Sequence, residues 1–266
     1  MEETLREILK LAVYAPSADN LQPWAFRFGE NYIDVLNLPQ KPVLFDFHLH
    51  ASLIAHGALI ENIARIAKAK GYETTVNLFP YSLDLNYIAK IFLIKFETID
   101  DQNELETIKV RHTDRMAYLD KNIDPQIIKD FKKAVSKYYK VNFSFVEDKK
   151  KLRKLIDLLA VGDEMILRNK SMHSFFYDNI RWTDKEFNES RNGMHIRSIV
   201  QKPSEIFLLK ILKNWPIALV FRGLGLPYLS YLMRRIVYRH SGAIAYLVIN
   251  IENPEAYIET GRALEA

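Results

Sequence analysis

The sequence predicts an α+β fold built from two related halves, each with a β-sheet flanked by helices. The first observation is that helix, hairpin, long-helix and strand patterns follow one another up to about residue 100, where helix and strand patterns begin again. The second is composition: 48% of the 266 residues are apolar, and only 9 are Gly and 10 are Pro, which favours a well-packed core. We place the halves at residues 1–100 and 101–266, a division that depends on this layout because no internal repeat is evident.

The elements of the first half are predicted from residue spacing. Leu5, Ile8, Leu9 and Ala12 recur at helical spacing, so a first helix should end near Ala15. Alternating or β-branched patterns indicate strands, and a long apolar pattern closed by a glycine indicates a helix. These further elements are a hairpin with strands at residues 24–28 and 32–38, a helix at 49–70, and strands at 74–78 and 88–96.

The second half carries clear helix-start signals. Asp124 is a favourable N-cap and Pro125 suits the first helical turn, and Asn253 with Pro254 repeats this signal near the end of the sequence. The other predicted elements are helices at residues 104–110 and 149–169 and strands at 141–146 and 243–251.

Charge and cysteine content restrict the possible functions. The 37 Lys and Arg residues exceed the 33 Asp and Glu residues by too little to indicate nucleic-acid binding, although a net charge of +4 suits a small anionic ligand. The absence of cysteine excludes disulfides, iron–sulfur ligation and a thiol nucleophile, so redox chemistry would need an organic cofactor or a metal bound by His and carboxylates. The N-terminal MEETLREILK is too charged for a signal peptide, and we expect a cytoplasmic protein.

The most hydrophobic stretch lies at residues 207–233. Lys210, Lys213 and Arg222 interrupt it, and Pro216 and Pro227 break its helical pattern, whereas a membrane span needs about 20 predominantly apolar residues. We therefore expect buried or lid-forming structure here and no transmembrane segment, with peripheral membrane contact as the alternative.

A short motif follows the first helix. Residues 15–24 read APSADNLQPW and are followed by Phe26, which resembles the nitroreductase signature A-P-S-x-x-N-x-Q-P-W-x-F. The resemblance implies a nitroreductase-like fold that holds one FMN noncovalently, with Pro23 and Trp24 supporting the loop. The alternative is a helix-ending turn whose polar side chains bond the local backbone. The FMN-binding residues implied by this motif are Pro16, Ser17, Ala18, Asn20 and Gln22.

A second motif, RHTDRMAY, begins at Arg111 and resembles the phosphate-binding segment of the same family. The resemblance implies that Arg111 and Arg115 bind the FMN phosphate and that Thr113 contributes a hydroxyl. A buried phosphate must be paired with cations, and Arg offers two parallel donors. Alternatively, the two arginines pair with carboxylates such as Asp114 and Asp120.

The order of the two motifs resembles the Acg-type branch of the family. In homodimeric nitroreductases the Arg segment comes first and each flavin lies between subunits, whereas here the Arg segment follows the first motif by about 90 residues. The resemblance, which extends to residues 56–62, 71–72 and 193–194, implies that one chain assembles a whole site, as a monomer or homodimer. Relatives continue past the final helix, so we expect a shortened C-terminus without a late phosphate-binding cation.

The resemblance implies an NAD(P)H-dependent oxidoreductase in which hydride passes through flavin N5 to a small aromatic acceptor of the nitro or quinone type. The alternative is an FMN-storing or sequestering protein without significant turnover. No catalytic acid or base is predicted. No metal site is expected, because His48, His50 and His56 fit helix-start and packing positions. Separately, we expect Arg234 and Arg235 to lie on a solvated face.

Overall fold

The computed structural model describes residues 1–38, 46–81, 84–96, 101–190 and 192–266. It confirms a mixed α+β fold, in which the first part of the chain forms a four-stranded antiparallel sheet with its strands in the order Trp24–Phe28, Tyr32–Asn37, Tyr87–Lys95 and Tyr72–Leu78. The proposed boundary at residue 100 lies outside the described residues. The elements of this part are α1 (Glu2–Ala12), β1 (Trp24–Phe28), β2 (Tyr32–Asn37), α2 (His50–Ala69), β3 (Tyr72–Leu78) and β4 (Tyr87–Lys95).

The main hydrophobic core lies between this sheet and helices α1 and α2. Leu59 and Ile63 of α2 are fully buried in this core. They share one cluster with residues from the sheet and from α1: Ile33 of β2, Ile91 of β4 and Ile8 of α1. Complete burial of one such side chain contributes about 1.5–3 kcal/mol. The core therefore fixes the position of the loop that connects α1 to β1.

The second part of the chain is mostly helical. Two of its strands, Val141–Val146 and Ile244–Ile249, pair antiparallel as a two-stranded sheet, and two two-residue strands, Ile180–Arg181 and Met194–His195, pair in parallel. The described residues thus give the second half a smaller sheet than the first, and the relation between the halves stays a prediction. The elements are α3 (Gln102–Val110), α4 (Pro125–Val135), β5 (Val141–Val146), α5 (Lys149–Arg168), α6 (Lys170–Asp178), β6 (Ile180–Arg181), α7 (Asp184–Ser190), β7 (Met194–His195), α8 (Pro203–Leu212), α9 (Trp215–Gly223), α10 (Leu226–Tyr238), β8 (Ile244–Ile249) and α11 (Pro254–Glu265).

Helix α1 ends earlier than its apolar pattern predicts. The backbone N–H groups of Tyr14 and Ala15 donate to the carbonyls three residues earlier, so the last turn tightens. Pro16 then disfavours helical backbone at the residue before it. In contrast, α4 starts where predicted, because Asp124 accepts a hydrogen bond from the backbone N–H of Gln126 at 2.8 Å.

Helix α11, from the end of the sequence, packs directly on α2. A Cβ atom added to Gly57 would lie 2.0 Å from the carbonyl oxygen of Ile258, and one added to Gly261 would lie 1.9 Å from that of Ile54. The two backbones therefore approach as closely as only glycine allows. Gly261 therefore allows α11 to pack closely against α2.

The contact between α2 and α11 also contains a buried ionic group. The Glu61 carboxylate accepts from Lys137 Nζ at 2.9 Å and from Arg262 Nε at 3.0 Å. Burial raises the pKa of Glu61, but the two cations outweigh burial and the pKa falls below its ordinary value. Arg262 is thus part of this structural ion pair.

The hydrophobic stretch at residues 207–233 is less buried than predicted. It forms most of α8, α9 and α10, and Phe207, Val220 and Leu224 are all exposed. Among the described residues no single helix is long and apolar enough to cross a membrane. Helices α9 and α10 together meet the length and composition criteria, but they bend by 84° at their junction.

Candidate functional site

The loop between α1 and β1 has an unusual backbone. Asp19, Asn20 and Gln22 have positive φ angles of 46°, 55° and 52°, which side-chain-bearing residues adopt rarely. Ser17 Oγ accepts a hydrogen bond from the backbone N–H of Gln22 at 3.0 Å and so closes the loop. Such strained backbone persists only where surrounding contacts fix it, and it concentrates at functional sites.

Asn20 joins this loop to the segment around Gly193. Its Nδ2 donates to the Gly193 carbonyl at 3.0 Å, and the Gly193 N–H donates to the Asn20 carbonyl at 3.0 Å. Gly193 has a φ of +79°, and a Cβ there would lie 2.6 Å from the Asn179 carbonyl oxygen. A glycine is therefore required at this junction.

Pro23 and Trp24 support the loop from behind and do not line the cavity described below. Both are buried, and the Trp24 ring packs edge-on against His56 with centroids 6.2 Å apart. Burial lowers the pKa of His56 more than its backbone hydrogen bonds raise it. His56 is thus a neutral packing residue, and His50 stacks on Tyr257 at 4.0 Å.

The arginine segment at residues 111–115 lies next to the loop. Arg111 Nη2 donates to the carbonyl of Tyr14 at 2.9 Å, and Arg111 Nε lies 3.7 Å from the Glu265 carboxylate. The Arg111 Nε atom is buried and has no hydrogen-bond acceptor among the described residues. The carboxylate near Arg111 is therefore Glu265, whereas Asp114 accepts from the backbone N–H of Met116.

Arg115 is less constrained than Arg111. Its strongest described contact is a weak one, from Nη2 to Met194 Sδ at 3.9 Å, and no described carboxylate pairs with it. Asp19 interacts with Arg115 through space: burial raises the Asp19 pKa, and Arg115 and a hydrogen bond from Asn179 partly offset that increase. The Arg115 guanidinium is thus available to an added anion.

The loop and the arginine segment line the same cavity, which has a volume of about 1480 Å³. It is larger than the roughly 300–1,000 Å³ typical of small-molecule sites. Ala18 is exposed and is not among the lining residues. The predicted residues that do line the cavity are Pro16, Ser17, Asn20, Gln22, Arg111, Thr113 and Arg115.

Further lining residues come from segments for which the sequence shows no recognisable binding motif. Residues 193–195 and 197–202 form one wall, and Leu209, Met233 and Val237 from α8 and α10 contribute apolar surface. The segment at residues 207–233 therefore does reach the cavity, even though much of it is exposed.

Most cations at the cavity are already neutralised. Arg234, which we predicted on a solvated face, instead lines the cavity and pairs with Asp163 at 2.6 Å. Lys202 pairs with Glu205 at 3.7 Å. Among the described residues Arg115 and Arg197 form no ion pair, so they could balance a bound dianion.

Comparison with known proteins gives a partial match. No family model matches the chain. Over 120 residues it is 29% identical to two Mycobacterium tuberculosis proteins, from strains CDC 1551 and H37Rv, both provisionally named NAD(P)H nitroreductases. The match covers 44% of this chain and 34% of each relative, so it spans about a third of their length. The similarity supports a relationship to the nitroreductase superfamily and to NAD(P)H oxidoreductases.

Proposed function

We propose that this protein binds one FMN noncovalently in the cavity and acts as an NAD(P)H-dependent oxidoreductase on nitro- or quinone-type acceptors. The observation that carries the proposal is that four loop residues and residues 111–115 line one cavity within a single chain; the loop residues are Pro16, Ser17, Asn20 and Gln22. The similarity to proteins named NAD(P)H nitroreductases supports the same conclusion.

The residues at the cavity fit the chemistry of FMN. Arg115 and Arg197 line the cavity and form no described ion pair, so they would donate charge-assisted hydrogen bonds to the phosphate; Arg111 also lines the cavity but lies 3.7 Å from the Glu265 carboxylate. Thr113 lies between the two arginines of the motif and offers a hydroxyl. These residues form the proposed phosphate site.

The loop at residues 16–22 suits the flavin ring. Ser17, Asn20 and Gln22 line the cavity with polar side chains that also hydrogen-bond within the loop and to Gly193, and Pro16 adds apolar surface. Ala18 does not line the cavity and is therefore not part of the proposed flavin site. When bound, FMN supplies hydride acceptance and donation at N5, and the protein supplies orientation and electrostatics.

A second candidate function is storage or sequestration of FMN. The observation that favours it is the contribution of Leu209, Met233 and Val237 to the cavity wall, since helices α8 and α10 could restrict entry of a nicotinamide. The same FMN site serves both functions, so they differ only in whether a second aromatic ligand reaches the flavin.

The test uses the purified protein loaded with FMN. We expect a yellow protein with one flavin per chain, whose flavin absorbance bleaches when NADH or NADPH is added without oxygen. A yellow protein that ignores both nucleotides would instead favour storage. Failure to bind added FMN would refute both functions.

A further inference from the structure

The exposed turn between α9 and α10 carries a cluster of apolar side chains. We call Leu219, Val220, Leu224, Tyr228 and Leu229 the apolar tip. Leu224 is 76% exposed, Val220 is 64% exposed and Tyr228 is 58% exposed. Several large exposed apolar residues in one short segment indicate an interaction surface, whereas single exposed residues need no explanation.

The turn that carries the apolar tip lies at the surface of the protein. A Cβ atom added to Gly223 or Gly225 would meet no neighbouring described atom within 4 Å. Helices α9 and α10 bend by 84° at these glycines, so the turn forms a corner at the surface. In contrast, Ala218 and Pro227 are buried and anchor the two helices. The tip is therefore accessible to a large partner.

Positive charge is concentrated in the segment of the chain that carries the apolar tip. Residues 202–240 contain seven of the 37 Lys and Arg residues but only one of the 33 Asp and Glu residues, so they carry +6. Since the whole chain carries +4, the remaining residues together carry −2. The surplus of positive charge thus belongs entirely to the segment that exposes the tip.

More than half of these cations are uncompensated. Lys202, Arg234 and Arg235 each pair with a carboxylate, at 3.7, 2.6 and 2.6 Å respectively. Within the described parts of the chain, the other four cations have no carboxylate partner. These four are Lys210, Lys213, Arg222 and Arg239.

We propose that the apolar tip and the unpaired cations of the same segment bind the surface of an anionic lipid bilayer. Exposed aliphatic and aromatic side chains flanked by cations are the composition of helices that lie in the membrane interface. The aliphatic side chains favour lipid over nucleic acid, whose backbone offers them no apolar contact. A second copy of the chain is disfavoured, because a symmetric contact would bring the two +6 segments together.

The experiment is co-sedimentation of the full chain with vesicles. We expect binding to vesicles of phosphatidylcholine mixed with phosphatidylglycerol, little binding to phosphatidylcholine alone, and a decrease with added salt. Leu224→Glu should lower the partition coefficient roughly tenfold or more. Lys210→Gln should lower it about fivefold, as expected for one cation near an anionic surface.

Ile251→Glu is the matched control, since Ile251 is 62% exposed but lies in the turn between β8 and α11. It should leave vesicle binding unchanged. Equal binding to neutral and anionic vesicles, or equal effects of Leu224→Glu and Ile251→Glu, would overturn the proposal. So would a dimer in light scattering that Leu224→Glu dissociates, because the tip would then bind a second copy. FMN affinity, measured in parallel, should stay constant in all three variants and separates this proposal from the flavin site.

Discussion

Replacing Arg115 with Ala should weaken FMN binding without disturbing the fold. Arg115 has one weak described contact, to Met194 Sδ at 3.9 Å, forms no described ion pair, and interacts with the Asp19 carboxylate only through space. Surface substitutions of this kind usually change stability by less than about 0.5 kcal/mol. The main effect of Arg115→Ala should therefore appear in ligand binding, with a small loss of stability at pH 7 because Arg115 no longer offsets the burial of the Asp19 carboxylate.

The expected size follows from the phosphate contact. A hydrogen bond to a charged group contributes about 1.5–3 kcal/mol, which corresponds to a loss of FMN affinity of about tenfold to about 150-fold. Riboflavin has no phosphate, so its affinity should not change. Arg111 is a less suitable target, because its removal also breaks the 2.9 Å hydrogen bond to Tyr14.

The assay is a titration of apo protein with FMN and with riboflavin, in which binding is measured as quenching of flavin fluorescence. Arg27→Ala is the control, because Arg27 is exposed on β1 and does not line the cavity. Equal affinities of the unaltered protein for the two flavins would refute the phosphate site. Equal losses in the Arg115 and Arg27 variants would refute the role of Arg115.

Three further predictions concern the loop, the helix contact and the composition of the site. Burial raises the pKa of Asp19, so its ionised form opposes folding at pH 7; Asp19→Asn should raise thermal stability at pH 7 and have no effect below about pH 3, where the carboxyl is protonated in both states. An equal effect at both pH values would contradict this cause. Gly261→Ala should destabilise by about 1–3 kcal/mol in denaturant unfolding, because its Cβ would lie 1.9 Å from a carbonyl oxygen of α2, whereas Gly162→Ala, with no neighbour within 4 Å, should be neutral or stabilising. Mixed Asn20→Ala and Arg115→Ala chains should not regain FMN binding under subunit exchange, because we propose that both residues of each site belong to one chain; recovery would indicate a shared site.

Elements with strong local signals could be predicted from the sequence. Strand β5 occupies the predicted residues 141–146, and α4 begins at Pro125 because Asp124 caps it. The exposed positions in α8, α9 and α10 could not be predicted, because hydrophobicity alone does not distinguish a buried helix from an unpartnered one. The predicted helices and strands therefore agree with the structure better than the predicted burial of residues 207–233 does.

The candidate site was only partly visible in the sequence. The motifs at residues 15–24 and 111–118 supplied its polar residues, but residues 197–202 carry no recognisable motif. Contacts such as Asn20 with Gly193 join positions 173 residues apart, and no local pattern reports such a distance. The predicted position of Arg234 on a solvated face was wrong for the same reason, because its partner Asp163 lies on another helix.

The glycine contact between α2 and α11 has a consequence for synthesis on the ribosome. The face of α2 around Gly57 is covered by α11, whose Gly261 is about 200 residues later in the chain. While the intervening residues are translated, at about 5–20 residues per second, this face of α2 remains without its partner for roughly 10–40 seconds. A nascent chain that has completed its four-stranded sheet is therefore still unfinished, and it is in this interval that chaperones should associate with it.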